Sequence, residues 1–187
     1  MERKEALDLL KKHVTTDQLM RHSLAVEASM MRYAAKYEED VHRWGLIGLL
    51  HDIDFEKYPD VHPKMAPELL DGSGFDEDFV DTILSHGINV GIARDTKAKQ
   101  CLHAVDQMSS FIIAVALMRP TGFEGLKAKS IKKKMKDKAF AKAVDRTMLT
   151  EAYEALGVEL AEHVDMIVEG LMAQEARLSE EGYSLLG

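Results

Sequence analysis

Six side chains of metal-binding type fall in order along this chain: His22, His51, Asp52, His62, His86 and Asp106. Neutral imidazole and carboxylate together suit Fe, Mn, Co, Ni or Zn better than Ca or Mg. The one cysteine, Cys101, offers no thiolate cluster, which argues against a structural zinc site. Gathered around one or two divalent ions, such groups would activate a water molecule and offset the charge on phosphoryl oxygens. Each residue also has a plainer reading. His22 alone is a core histidine, and His51-Asp52 alone is a helix end. His62 alone is a helix-entry residue, and His86 a C-terminal histidine favoured by the helix dipole.

The elements that carry them read as helices, and no stretch alternates as a strand does. A first helix is expected over residues 2–13. Thr15, Thr16 and Asp17 offer a cap for a second, which runs to Tyr37 with Leu19, Val26, Met30 and Tyr33 on one stripe. His22 lies on that stripe. Asp40 caps a third helix from Val41 to Asp52. It is apolar nearly all round, and Gly45 and Gly48 allow a close neighbour. His51 and Asp52 end it. A loop with Pro59 follows, and His62-Pro63 is expected to open a short helix to Leu70 with proline in the first turn. Asp76 caps the next helix, which His86-Gly87 closes. A long helix from Lys97 to Met118 carries His103 and Asp106. Two more are expected near 147–156 and 158–178. A helical bundle brings such groups to one centre.

Composition sets the frame for this site. The chain has 187 residues, suited to one domain spanning 1–187, with 46% hydrophobic and 30% charged residues. Only 6% is aromatic against 11 methionines, which favours an all-α core. A single cysteine fits a reducing compartment, and Cys101 reads as a small core residue. The charged N-terminus has no apolar signal region after it, and Phe111 to Met118 is too short to span a bilayer, so the expected location is cytoplasmic. The net charge of -8 argues against nucleic-acid binding. His13, His42 and His163 sit among charged residues and are expected in solvent. The apolar stripes leave room for a homodimer interface, or they complete the monomer core.

The phrases Arg21-His22-Ser23-Leu24-Ala25-Val26 and Leu49-Leu50-His51-Asp52-Ile53, with Asp106 on a later helix, resemble motifs of the HD superfamily of metal-dependent phosphohydrolases. The resemblance covers about residues 15–118, with further helices over 123–178. It implies an all-α HD-domain helical bundle in which His22, His51, Asp52 and Asp106 bind one metal. His62 and His86 resemble the extra ligands of the two-metal subgroup, where the HD aspartate bridges the ions. The chain departs from the common His-Asp-Ile-Gly-Lys continuation. Asp54 and Phe55 stand in the last two places, so the usual lysine is missing. The Gly-Tyr-Pro signature of cyclic-di-GMP enzymes is missing as well.

The expected activity is metal-dependent hydrolysis of a small phosphorylated molecule, a nucleotide by expectation. One or two ions are the cofactor, and Asp52 and Asp54 are the catalytic carboxylates. Asp54 either orients the water or accepts a hydrogen bond from a ligand histidine, unless it is an ordinary loop carboxylate. Lys57, Arg94, Arg119 and Lys129 are candidate phosphate contacts. The lysine run from Lys127 to Lys138 is either a solvated face or an approach to the metal cleft. His103 reads as structural. Two other readings stay open: a non-catalytic HD module that binds a nucleotide and senses it, and a di-iron HD-fold oxygenase.

Overall fold

The computed structural model describes residues 1–88, 90–142, 144–180 and 182–187. Nine helices and no strand occur among the described residues. In chain order they are α1 (Arg3–Leu10), α2 (Asp17–Lys36), α3 (Val41–Leu50), α4 (Ala66–Leu70), α5 (Glu77–Leu84), α6 (Lys97–Ala116), α7 (Ala128–Met135), α8 (Arg146–Leu156) and α9 (Leu160–Glu180). The all-α expectation holds. No described helix is long and apolar enough to cross a membrane.

α2 is the central helix and packs on α3, α6 and α9, while α6 also packs on α8. One continuous core runs from Ala6 in α1 to Leu185 near the C-terminus. α3 is buried from Trp44 to Leu50, as its all-round apolar sequence requires. Gly48 lets it lie against α2. A Cβ at Gly48 would come within 2.7 Å of the Val26 carbonyl oxygen and 2.8 Å of the Glu27 nitrogen. Those atoms are backbone and cannot rotate aside. Buried Glu27 ties three helices at the same crossing. It accepts from Arg3 Nη2 of α1 at 2.9 Å, from Gln174 Nε2 of α9 at 3.0 Å and from Arg177 Nη2 of α9 at 3.4 Å. On the other side of α2, Ser29 Oγ meets Ser109 Oγ of α6 at 2.8 Å. Small residues there hold α2 and α6 close.

The caps fall where short polar residues precede helical runs. Asp40 accepts from Arg43 N at 2.9 Å, and Asp76 accepts from Phe79 N at 2.9 Å. The Arg43 guanidinium then spans to Asp76 and Asp78, which joins the start of α3 to the start of α5.

Two expectations are corrected. Helix α4 begins at Ala66, so Pro67 and not Pro63 lies in its first turn. Residues 51–57 and 59–65 form turns instead, and the Asp54 carboxylate accepts the Met65 N–H at 3.1 Å just before the helix. His163 is buried, not solvated. It lies on the inner face of α9 with Val164 and Ile167, while Glu162 and Asp165 face outward. Its Nε2–H donates to the Ala104 carbonyl at 3.1 Å, and Nδ1 meets Tyr33 Oη at 2.6 Å. Burial pushes this imidazole down to about 4, so it is neutral at physiological pH. His42 is exposed and His13 is half-buried. Cys101 is a buried core residue, and burial raises its thiol to about 12.

The crossing at Gly48 carries a stability prediction. Gly48→Ala forces α3 away from α2 and costs about 1–3 kcal/mol, read as a lower midpoint with unchanged slope in chemical denaturation. An unchanged midpoint would show that α3 does not need that approach.

Candidate metal centre

α2 presents His22, the end of α3 presents His51 and Asp52, the turns before α4 present His62, the end of α5 presents His86, and α6 presents Asp106. The fold brings all six together. His22 Nε2 lies 3.0 Å from His51 Nε2, 3.2 Å from Asp52 Oδ2 and 3.1 Å from Asp106 Oδ1. On the other side of Asp52, His62 Nε2 and His86 Nε2 are 2.9 Å apart, and each is 3.3 Å from Asp52 Oδ1. Asp52 therefore lies between the imidazoles, with Oδ2 beside His22 and Oδ1 beside His62, His86 and, at 3.5 Å, His51.

The outer ring nitrogens are held by partners that decide where the protons go. His51 is the residue that follows α3, and its Nδ1–H donates to the Gly48 carbonyl at 2.8 Å. His86 lies just past α5, and its Nδ1–H donates to the Ile83 carbonyl. The last carbonyls of a helix lack partners within it, so both histidines satisfy a carbonyl three residues back and aim Nε2 inward. His62 Nδ1–H donates to Asp54 Oδ1 at 2.6 Å. His22 Nδ1 pairs with Ser110 Oγ at 2.8 Å. Ser110 lies four residues after Asp106 on the same face of α6. That spacing is the sequence signal that would have found it.

With Nδ1 carrying the proton, Nε2 of His51, His62 and His86 each carries a lone pair. The lone pairs of His62 and His86 face one another at 2.9 Å, with an anionic oxygen beside both. Only a cation among them makes this arrangement favourable. The pull for positive charge shows at His22 too. Burial disfavours its charged form, but hydrogen bonds to Asp106 and Asp52 raise it to about 10. Burial likewise opposes ionisation of Asp52 and Asp106, yet the imidazoles hold both carboxyls well below the usual range. Buried His and Asp groups of this kind fit a divalent transition metal.

The family model of the HD domain matches residues 19–111. That stretch of the chain is an HD domain. HD domains bind divalent metals, and this one has the buried donors for it. Comparison with curated proteins and with solved structures found no match.

The other candidate residues do not line the cleft above the donors. Asp54 is buried below His62, with Oδ1 on the imidazole and Oδ2 on the Met65 N–H. Both oxygens are engaged, so it faces the back of a histidine and not the open cleft. Arg94 bonds to the carbonyls of Ser85, His86 and Gly87, closing the end of α5. Arg119 bonds to the carbonyls of Gly122 and Glu124 and holds the turn after α6. Lys57 is exposed and lies over the Tyr58 ring. Lys129 is exposed on α7, a helix that buries only Ile131. None of these four lines the cleft above the HD-domain donors, and none of the run from Lys127 to Lys138 does. His103 is half-buried behind Asp106, and burial lowers it to about 4. A further close approach sets the pairing of His62 with His86. A Cβ at Gly87 would meet the Pro63 ring at 2.5 Å.

The charge on His22 has a testable sign in the metal-free HD domain. Its folded pKa of about 10 lies above the unfolded value of about 6.5. The stability it contributes is complete below pH about 6.5 and is lost as pH rises through about 10. The gap in Tm between metal-free wild type and His22→Gln is therefore wide near pH about 6 and narrows toward pH about 10. A gap that stays level would show that the charge on His22 does not stabilise the fold.

Proposed function

We propose that the chain is a metal-dependent phosphohydrolase that cleaves a small phosphorylated molecule. The observation that carries this reading is the central place of Asp52, whose Oδ2 faces His22 and whose Oδ1 faces His51, His62 and His86. His22, His51, Asp52 and Asp106 would hold one ion, and Asp52, His62 and His86 a second. Ions so held supply charge to offset phosphoryl oxygens and to acidify water.

The chain's own residues do the rest. Asp52 orders both halves of the site. The Gly48 and Ile83 carbonyls, Asp54 and Ser110 lock the rings, so the donors lose little freedom when a ligand arrives. Asp54 acts as a positioning residue through His62. One edge of the centre is open, since His22, Asp52, His62, His86 and Asp106 all line a cleft. That opening lets a phosphoryl group reach the donors, as a purely structural metal site would not.

Metal content and activity test the reading together. Freshly purified protein is expected to hold about two transition-metal ions per chain by elemental analysis, and Asp52→Ala to lose them along with phosphate release from monoesters. No ion after reconstitution with Fe, Mn, Co, Ni and Zn would sink it and favour a binding module. Turnover that requires O₂ would favour the oxygenase.

Asp54 gives a separate check. Asp54→Asn leaves His62 or Met65 mismatched, and affinity for the second ion falls about 10–100-fold while the first stays bound. Equal loss of both ions would assign Asp54 to the fold as a whole.

A further inference from the structure

The geometry points to a phosphate monoester with an apolar body, an alkyl or aryl phosphate, as the molecule that fills the cleft. This rests on the phosphohydrolase reading and narrows it away from nucleotides and polyphosphates. The cleft has a volume of about 1180 Å³, ample for a ligand of moderate size.

One side of its mouth is apolar, opposite the exposed polar residues Thr16, Asp17 and Gln18. Seven large hydrophobic side chains are exposed among the described residues, and three of them line this cleft: Phe55 at 44%, Ile88 at 71% and Leu117 at 56%. They come from three segments: the turns after His51-Asp52, the loop after α5 and the end of α6. Single exposed hydrophobics need no explanation. Their convergence on the mouth of one cleft does, because apolar surface so gathered marks a binding site. Leu19, Ile113 and Leu185 continue the wall inward.

Charge limits the polar end to one phosphoryl group. Arg21 is the only lysine or arginine among the described residues lining the cleft, and Asp17 and Glu56 line it too. A polyphosphate would bring several negative charges past two carboxylates to one guanidinium. Arg94 and Arg119 are occupied by carbonyls elsewhere, and the lysines of α7 lie off the cleft. Arg21 Nε is shielded from solvent and has no hydrogen-bond partner. Its side chain lines the cleft, and a phosphoryl oxygen matches the guanidinium fork. In the reaction, water forms a new P–O bond and the P–O bond to the organic group breaks. One water proton passes to the departing oxygen, so the products are an alcohol or phenol and inorganic phosphate, with no change of oxidation state.

Alkylphosphonates, which cannot be hydrolysed at the P–C bond, test the cleft apart from the chemistry. Isothermal titration of the metal-loaded protein with a methyl-to-octyl series is expected to show Kd falling about two- to fourfold per added methylene until the cleft is filled. A nucleoside monophosphate and a nucleoside triphosphate are expected to bind more weakly than octylphosphonate. Phe55→Ser combined with Ile88→Ser flattens the series, and both sites are exposed enough to leave the fold intact. Arg21→Gln weakens every member by a similar factor and keeps the slope. Hydrolysis of the matching alkyl phosphates, followed by phosphate release, is expected to show the same slope in kcat/KM. A flat series, no binding by any phosphonate, or nucleotides binding more tightly than octylphosphonate would overturn the assignment. Graded binding with no ester hydrolysed would keep the cleft assignment and sink the phosphohydrolase reading. Hydrolysis of small monoesters without grading would do the reverse.

Discussion

Four imidazole nitrogens and two carboxylates face one another across distances of 2.9–3.6 Å with no proton to share between several of them. In water such groups would separate or take up protons. Here the backbone holds them, so the centre is a concentrated demand for positive charge. In the metal-free chain that demand is met in part by a proton on His22. A divalent ion meets it better, and the metal and the proton then compete for the same donors. The electrostatics of the HD domain follow from this one constraint. The Asp52 and Asp106 carboxyls stay ionised despite burial, because the imidazoles around them hold their pKa values down.

Such a centre needs rigid supports, and helix ends provide them. His51 and His86 use the same device twice. Each follows its helix and bonds a carbonyl three residues back, which turns a helix-end carbonyl into a clamp for the ring. His62 lies in irregular chain and needs a buried carboxylate, Asp54, to do what a helix end does elsewhere. The helices are in turn set by two crossings. Gly48 brings α3 onto α2, and Glu27 gathers arginines and a glutamine from α1 and α9 onto the same stretch. A shift of α3 would move His51 and Asp52 together, since both hang from its last turn.

The open side of the centre differs in character from the donors. Phe55, Ile88 and Leu117 are exposed at its mouth, and Arg21 is the one lysine or arginine among the described lining residues. Strong local charge at the base and apolar surface at the mouth favour a ligand with the same polarity, phosphate at one end and carbon at the other. The lysine-rich α7 does not alter this, because none of its lysines lines the cleft.

The sequence by itself determined the helical class and the order of the six donors. Helical periodicity is a local property, and caps such as Asp40 and Asp76 are written in short motifs, so α2, α3 and α5 begin where their residues say. The donors stand out because imidazoles recur at helix ends. Tertiary structure decided what depends on which face meets which. His163 reads as solvated from its charged neighbours, yet α9 turns it into the core against Tyr33 and Ala104. Asp54 has no periodic context, and only the fold of residues 51–65 puts it behind His62. Arg94 and Arg119 carry the charge a phosphate site wants, but nearby carbonyls claim them. The apolar mouth could not be read at all, since Phe55, Ile88 and Leu117 are far apart in sequence and look like core residues. Side-chain chemistry is fixed residue by residue, while convergence and exposure belong to the packed chain.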